Sequence, residues 1–195
     1  MSRFAEIEPM LPALRRFVIA LATRRGEAQE ALCARADRII HRAVNAALNE
    51  GANCDSSHLR VLMFAAAVQH HRAQLRREKF EPGQEPQRGA QVLEANVRVL
   101  ALPGVGATQA ALVQLPVESR EVLLLVVLAQ LSYVEVAQAL DLSLGDAFAR
   151  LTRARALFGA VLVQQERDAQ PGAARSAGGQ GAARRSGAQH LRLVK

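Results

Sequence analysis

Aromatic residues make up only 4% of this 195-residue chain, with no tryptophan and a single tyrosine. So few aromatics, beside abundant Ala, Leu, Val and Arg, argue against a sheet-built fold and for helices. Cysteine is also scarce. Cys33 and Cys54 are the only two; they lack the Cys-x-x-Cys spacing of a redox or zinc motif and are expected to be ordinary reduced thiols. No apolar run approaches the roughly 20 residues that span a bilayer, and Val122 to Leu128 reads as core. The opening Met1-Ser2-Arg3-Phe4-Ala5-Glu6 lacks the charged-then-apolar pattern of a secretory leader. No membrane insertion and a cytoplasmic location are therefore expected.

Catalytic and metal-binding chemistry are thinly represented. His70 and His71 are adjacent and so fall on different faces of a helix, while His41, His58 and His190 have no Cys/His/Asp cluster at ligand spacing. Gly104-Val105-Gly106 is too short for a phosphate loop and lacks the Lys-Ser/Thr pair, so it reads as a turn. No nucleophile, base and orienting group stand in a recognisable arrangement. The chain is expected not to be an enzyme, with no catalytic residues, no metal and no cofactor.

Charge and apolar pattern are what the sequence does supply. The net charge is +7, which by itself suggests a polyanionic partner. Residues 169–195 hold Arg175, Arg184, Arg185, Arg192 and Lys195 without an acid, so +5 of the +7 sits there and +2 remains for the rest. At 50% apolar composition the chain can bury a sizeable core, read as two small helical domains of about 70 and 50 residues. Phe80 to Gly89 contains two Pro and two Gly and reads as the connection between them. Ala90 to Leu102 reads as a short linker helix ended by Pro103-Gly104. From Gln170 the sequence is Gly, Ala, Arg, Ser and Gln without periodicity, the composition of a disordered basic tail. The expected organisation is a helical domain over 1–79, a flexible linker over 80–111, a second helical domain over 112–165 and a tail over 166–195, an all-α fold.

The second domain carries the most specific pattern. Pro116 to Val127 begins with Pro, has acids in its first turn and continues as an apolar run, the signature of a buried helix. Ser132 with Glu135 three residues later forms a capping box ahead of Val134, Ala137 and Leu140, so a short helix is predicted over about Tyr133 to Leu140. Asp141 and Leu142 make a tight connection. Ser143 then caps a third helix in which Leu144, Ala147, Leu151 and Ala154 share one face and Arg150, Arg153 and Arg155 point largely to solvent. Two short helices joined by such a turn, the second carrying arginines, have the geometry that sets a recognition helix in a DNA major groove.

Leu115-Pro116, Arg120-Glu121-Val122-Leu123-Leu124-Leu125, Leu131-Ser132-Tyr133, Glu135, Ala137, Leu140, Gly145 and Arg150-Leu151-Thr152-Arg153-Ala154-Arg155 resemble, without a gap from Leu115 to Arg155, the C-terminal domain of extracytoplasmic-function (ECF) sigma factors. The apolar positions 11, 14, 17, 18 and 21 resemble the first helix of that family's core-binding domain. His58 to Phe64 with Leu75-Arg76-Arg77 resembles its −10-reading helix. The resemblance covers about residues 7–78 and 112–160. It implies binding to the β and β′ subunits of core RNA polymerase, to promoter DNA and to an anti-sigma factor. It further implies a DNA-contacting set of Arg150, Arg153, Arg155, Ser143, Gly145, Arg76 and Arg77, and a polymerase- or partner-binding set of Arg15, Glu30, Leu32 and Arg60.

Several positions depart from the family pattern. The acidic motif around the second helix is reduced to Gln29-Glu30-Ala31-Leu32-Cys33-Ala34-Arg35. Leu62, Val68, Gln69 and Ala73 replace the usual Trp, Arg, Asn and Asp of the −10 helix, leaving Phe64, His70 and His71 as stacking surfaces. Asp146, Phe148 and Ala149 replace Thr, a polar or basic residue, and Ser on the recognition helix. Within Leu115 to Phe158 five acids (Glu118, Glu121, Glu135, Asp141, Asp146) oppose four arginines (Arg120, Arg150, Arg153, Arg155), a net −1, where a DNA-reading module normally shows a basic face. Two functions are consistent with this pattern: a divergent sigma factor, or a sigma-like mimic that binds an anti-sigma factor without reading DNA.

Overall fold

The computed structural model describes residues 3–50, 54–80 and 105–169. They form α1 (Arg3–Ile7), a 3-10 turn (Glu8–Met10), α2 (Leu11–Ala22), α3 (Gln29–Glu50) and α4 (Ser56–Phe80), followed by α5 (Val105–Gln114), α6 (Val117–Val127), α7 (Tyr133–Leu140) and α8 (Leu144–Ala169). The fold is all-α, and no strand occurs among the described residues. Most of the expected linker and tail lies outside them.

The first half is built on α2, α3 and α4. Leu14, Phe17, Val18 and Leu21 are buried because their spacing puts them on one side of α2. Phe17 meets Phe64 of α4 edge-to-face, centroids 5.2 Å apart at 88°, a geometry that adds about 0.5–1.5 kcal/mol to the burial of two rings. Leu32, Ile39 and Ala43 close α3 against this layer. In the second half α8 packs on α5, α6 and α7, burying Val122, Leu124, Leu125, Val136, Leu140, Leu151 and Ala154.

The two halves share one apolar cluster. Helix α2 lies against α6, and α4 against α7, so the core continues from one half into the other.

Several local expectations change. Val105 and Gly106 begin α5 instead of forming a turn; the helix takes in the C-terminal end of the stretch read as linker, where Ala107, Ala110, Ala111 and Leu112 favour helix. Helix α8 continues to Ala169, past the expected domain end at 165. No breaker intervenes before Pro171, and Gln164 Nε2 donates to Asp168 Oδ1 at 2.9 Å one turn on. Val127, expected in the core, is 64% exposed at the last turn of α6. Leu144 is 53% exposed: it occupies the first position of α8, and the covered face begins at Ala147.

Candidate nucleic-acid interface

The turn between α7 and α8 is set by local chemistry. Ser132 accepts the Glu135 N–H at 3.3 Å on its hydroxyl, and the Ser132 N–H donates to Glu135 Oε2 at 2.7 Å. Two of the orphan donors at the start of α7 are thereby satisfied. At its other end Asp141 adopts φ 53, its N–H donating to Gln138 O and that of Leu142 to Ala137 O. This is a Schellman closure with aspartate at the left-handed position where glycine is usual. Ser143 accepts the Asp146 N–H at 3.0 Å, and its hydroxyl donates to Asp146 Oδ2 at 2.7 Å, so α8 starts directly after the turn. Ser132→Ala is expected to cost about 1 kcal/mol, read as a lower urea midpoint with an unchanged slope.

On α8, Arg153 and Arg155 are exposed and Arg150 is half-buried, with Arg150 Nη1 3.4 Å from Glu118 Oε2 of α6. Gly145 is exposed; a side chain there would meet only Ser143 Oγ, at 3.8 Å. Large apolar side chains share this surface with them. Phe148 is 55% and Val134 54% exposed, and Phe148 meets Tyr133 edge-on at 6.0 Å. The hydroxyl of Ser143 is committed to its own helix cap, and the Asp146 carboxylate stands in the first turn, where a recognition helix would meet phosphates.

The residues assigned to polymerase or partner binding are scattered. Glu30 is exposed, Arg15 lies 3.6 Å from Asp37, and Leu32 is buried in the core. Leu32 is therefore a packing residue here. Arg60 Nη2 donates to Glu135 Oε1 at 3.1 Å, from α4 to α7; the Ser132 N–H first, then the Ser132 hydroxyl and this guanidinium, hold the Glu135 carboxyl below its ordinary range. Arg76 and Arg77 are exposed near the end of α4, where cations suit the helix dipole. Phe64 and His71, read as stacking surfaces, are buried at 1% and 3% exposure; only His70 stays partly accessible.

A polar junction between the halves carried no signal in the sequence reading. Arg120 of α6 is buried. Its Nη1 donates to Leu21 O at 3.2 Å and Thr23 O at 3.1 Å, and its Nη2 to Val113 O at 2.9 Å and Leu115 O at 3.4 Å. One guanidinium thus serves carbonyls at the C-terminal ends of α2 and α5, where free carbonyls and the helix dipole both favour a cation. Beside it Glu121 is fully buried and takes a bidentate fork from Arg72 of α4: Nε at 2.9 Å from Oε1, Nη2 at 2.5 Å from Oε2. His71 adjoins this junction, its pKa pushed down to about 4 by burial and then by the charges of Arg120, Arg24 and Arg35.

Among the described residues no group of three or more His, Cys, Asp or Glu is placed to hold a metal ion, and no helix is long and apolar enough to cross a membrane.

The geometry is that of a helix-turn-helix protein whose turn-bearing half is fastened to a second helical unit. Residues 106–158 match the family described as sigma-70, region 4, a segment that includes most of α5 as well as α6, α7 and the start of α8. As a whole the chain shares its fold with the sigma factor RpoE from Bartonella quintana, solved in complex with the anti-sigma factor NepR. The TM-score is 0.58 at 21% identity, covering 83% of this chain and 98% of that one. No curated protein sequence matches the chain. Residues 106–158 are thus similar to sigma-70 region 4, and the chain as a whole shares the fold of that solved structure.

Proposed function

We propose that this protein is a non-enzymatic, cytoplasmic ECF-type sigma factor that binds core RNA polymerase and directs initiation at its own promoters. The observation that carries the reading is the capped helix-turn-helix of α7 and α8, lying in the segment that matches sigma-70 region 4. In this assignment a region-2-like unit over residues 1–79 grips the β and β′ subunits, with Glu30 and Arg15 on its accessible surface. The region-4-like unit over 112–165, with α5 packed on it, sets α8 against the −35 element. Arg153 and Arg155 then reach phosphate or base edges, and Arg150 joins them by releasing Glu118. Arg76 and Arg77 bind the DNA backbone near the −10 element. The RpoE structure contains an anti-sigma factor, and a protein of that kind is the expected regulator here.

One surface favours a second reading. Tyr133, Val134, Leu144 and Phe148 expose apolar area on the helix-turn-helix, and Asp146 is negative at the start of α8, which suits a protein partner better than DNA. In that reading the protein is a sigma-like mimic that occupies an anti-sigma factor.

Two experiments separate these functions. A pull-down from native cytoplasm is expected to recover the β and β′ subunits; recovery of a small helical partner without polymerase would transfer the assignment to the mimic. In promoter binding, Arg150→Ala with Arg153→Ala is expected to weaken affinity and lower the salt slope by about 2, one for each phosphate no longer neutralised. An unchanged slope would remove these arginines from the DNA interface.

A further inference from the structure

We propose that the apolar patch at the α7–α8 turn, formed by Tyr133, Val134, Leu144 and Phe148, is the docking site for a segment of the same chain, His190-Leu191-Arg192-Leu193-Val194-Lys195, and that this contact competes with DNA for the start of α8. The competition rests on the sigma-factor reading above; the docking does not.

Four of the seven large apolar side chains that stay exposed among the described residues gather at this turn. Phe148 meets Tyr133 edge-on, Leu144 lies one turn before Phe148 on α8, and Val134 follows Tyr133 at the start of α7. The rim of the patch is acidic. Asp146 stands between Leu144 and Phe148, and Asp141 in the turn before them, both exposed. Arg150, the first arginine along α8, is opposed by Glu118. Apolar area with acids at its edge fits a segment that is apolar and basic at once.

Residues 170–195 supply such a segment. They hold five arginines and lysines without an acid, and apart from Pro171 their only apolar side chains larger than alanine are Leu191, Leu193 and Val194. These three are interleaved with Arg192 and Lys195. Covering Tyr133 and Phe148 with the leucines takes apolar surface of both segments out of water. Cations beside Asp146 and Asp141 add register more than strength.

The connection is long enough. From Phe148 to Ala169 the axis of α8 covers about 32 Å, and the stretch from Ala169 to Leu191 can span up to about 70 Å. Being part of the same chain, the segment meets the patch at an effective concentration on the order of millimolar, so a weak contact keeps the patch covered. The docked segment lies over Phe148 and Asp146 at the end of α8 that would enter the major groove, and it withdraws Arg192 and Lys195 from phosphates. A duplex then meets only the undocked fraction, and its apparent affinity falls by that factor.

The test uses the full chain, in which Tyr133 is the only tyrosine and tryptophan is absent, so ultraviolet fluorescence reports on the patch. Leu191→Ser with Leu193→Ser keeps every charge and leaves the described residues untouched. Acrylamide quenching of Tyr133 is expected to rise about twofold or more in this variant, because a patch covered more than half the time hides the ring for that fraction. A synthetic peptide of residues 186–195, added at about 1 mM to match the effective concentration, is expected to restore the protection. The same fraction sets the gain in affinity for a random-sequence DNA duplex. For location, Cys33→Ser and Cys54→Ser remove the native thiols and a nitroxide is attached through Ala188→Cys. It is expected to broaden the amide signals of Val134, Leu144 and Phe148 within one chain. Equal quenching in parent and variant would overturn the docking and leave the patch to a separate protein. Broadening only when nitroxide and isotope label are on different chains would overturn it in favour of a second copy. Release of Tyr133 with unchanged duplex affinity would overturn the competition. Release with no duplex binding by either chain upholds the docking and counts against the sigma-factor reading.

Discussion

Arg72→Ala is expected to lower the stability of the folded chain by about 3–5 kcal/mol, the range for stranding one member of a buried ion pair. Glu121 would lose the bidentate fork on its carboxylate while remaining without solvent access as long as the two halves stay packed. Separation of α6 from α4 hydrates it, so much of the loss should emerge as domain opening before the helices melt. Urea titration followed by circular dichroism and by solution scattering is expected to give coincident transitions for the parent chain. For the variant the scattering change should come first, a departure from two-state behaviour. The double replacement Arg72→Met with Glu121→Leu removes both charges together and should cost much less than Arg72→Ala, because apolar substitutes for a buried pair are often neutral. A double variant as unstable as Arg72→Ala would mean that side-chain packing, not the stranded charge, sets the loss.

What the sequence made legible was local. Helix α7 runs from Tyr133 to Leu140, as its capping box and apolar spacing predict, and Ser143 caps α8 in the way its position before the apolar series suggests. These signals lie within three or four residues of the structure they specify, so one stretch of sequence contains both partners. The apolar face of α2 was readable for the same reason. Leu144 was misplaced because periodicity assigns a residue to a face without saying where the covering helix ends. Val127 is the same case at the end of α6.

The junction was not legible because its partners are separated by tens of residues and its groups have ordinary local roles. Arg120 and Glu121 read as a charged start to an apolar helix, and nothing nearby indicates that one reaches the end of α2 and the other a fork from α4. Arg60 read as a surface cation for a partner, yet its partner is in the same chain. Glu135 was identified as a capping residue, which holds, but a carboxylate has two oxygens and the second serves α4. Of the candidate DNA set, Arg153, Arg155, Gly145, Arg76 and Arg77 are on the surface, whereas the hydroxyl of Ser143 is already used.

Acidification from pH 7 to pH 5 is expected to cost about 2 kcal/mol through His71 alone. The imidazole is 3% exposed and its Nδ1 has no hydrogen-bond partner. Burial, then the positive charges of Arg120, Arg24 and Arg35, brings its pKa from 6.5 to about 4, against a smaller upward pull from Glu78. The folded chain therefore binds this proton less readily than the unfolded one. The stabilisation is fully present above the unfolded pKa near 6.5 and is lost as pH falls from there towards 4. Glu135, whose pKa is also lowered, loses its contribution only as pH falls through the carboxylate range below, so the two effects occupy different windows. Urea unfolding at pH 7, 6 and 5 should show a decline in the parent chain that His71→Leu largely removes. A variant whose stability falls as steeply as the parent's between pH 6 and 5 would show that His71 is not buried in the neutral form. The same series, followed by scattering, tests whether the lost stability lies at the junction: a proton on His71 puts a second cation beside the buried Arg120 guanidinium, and separation of the two units relieves that repulsion without unfolding either.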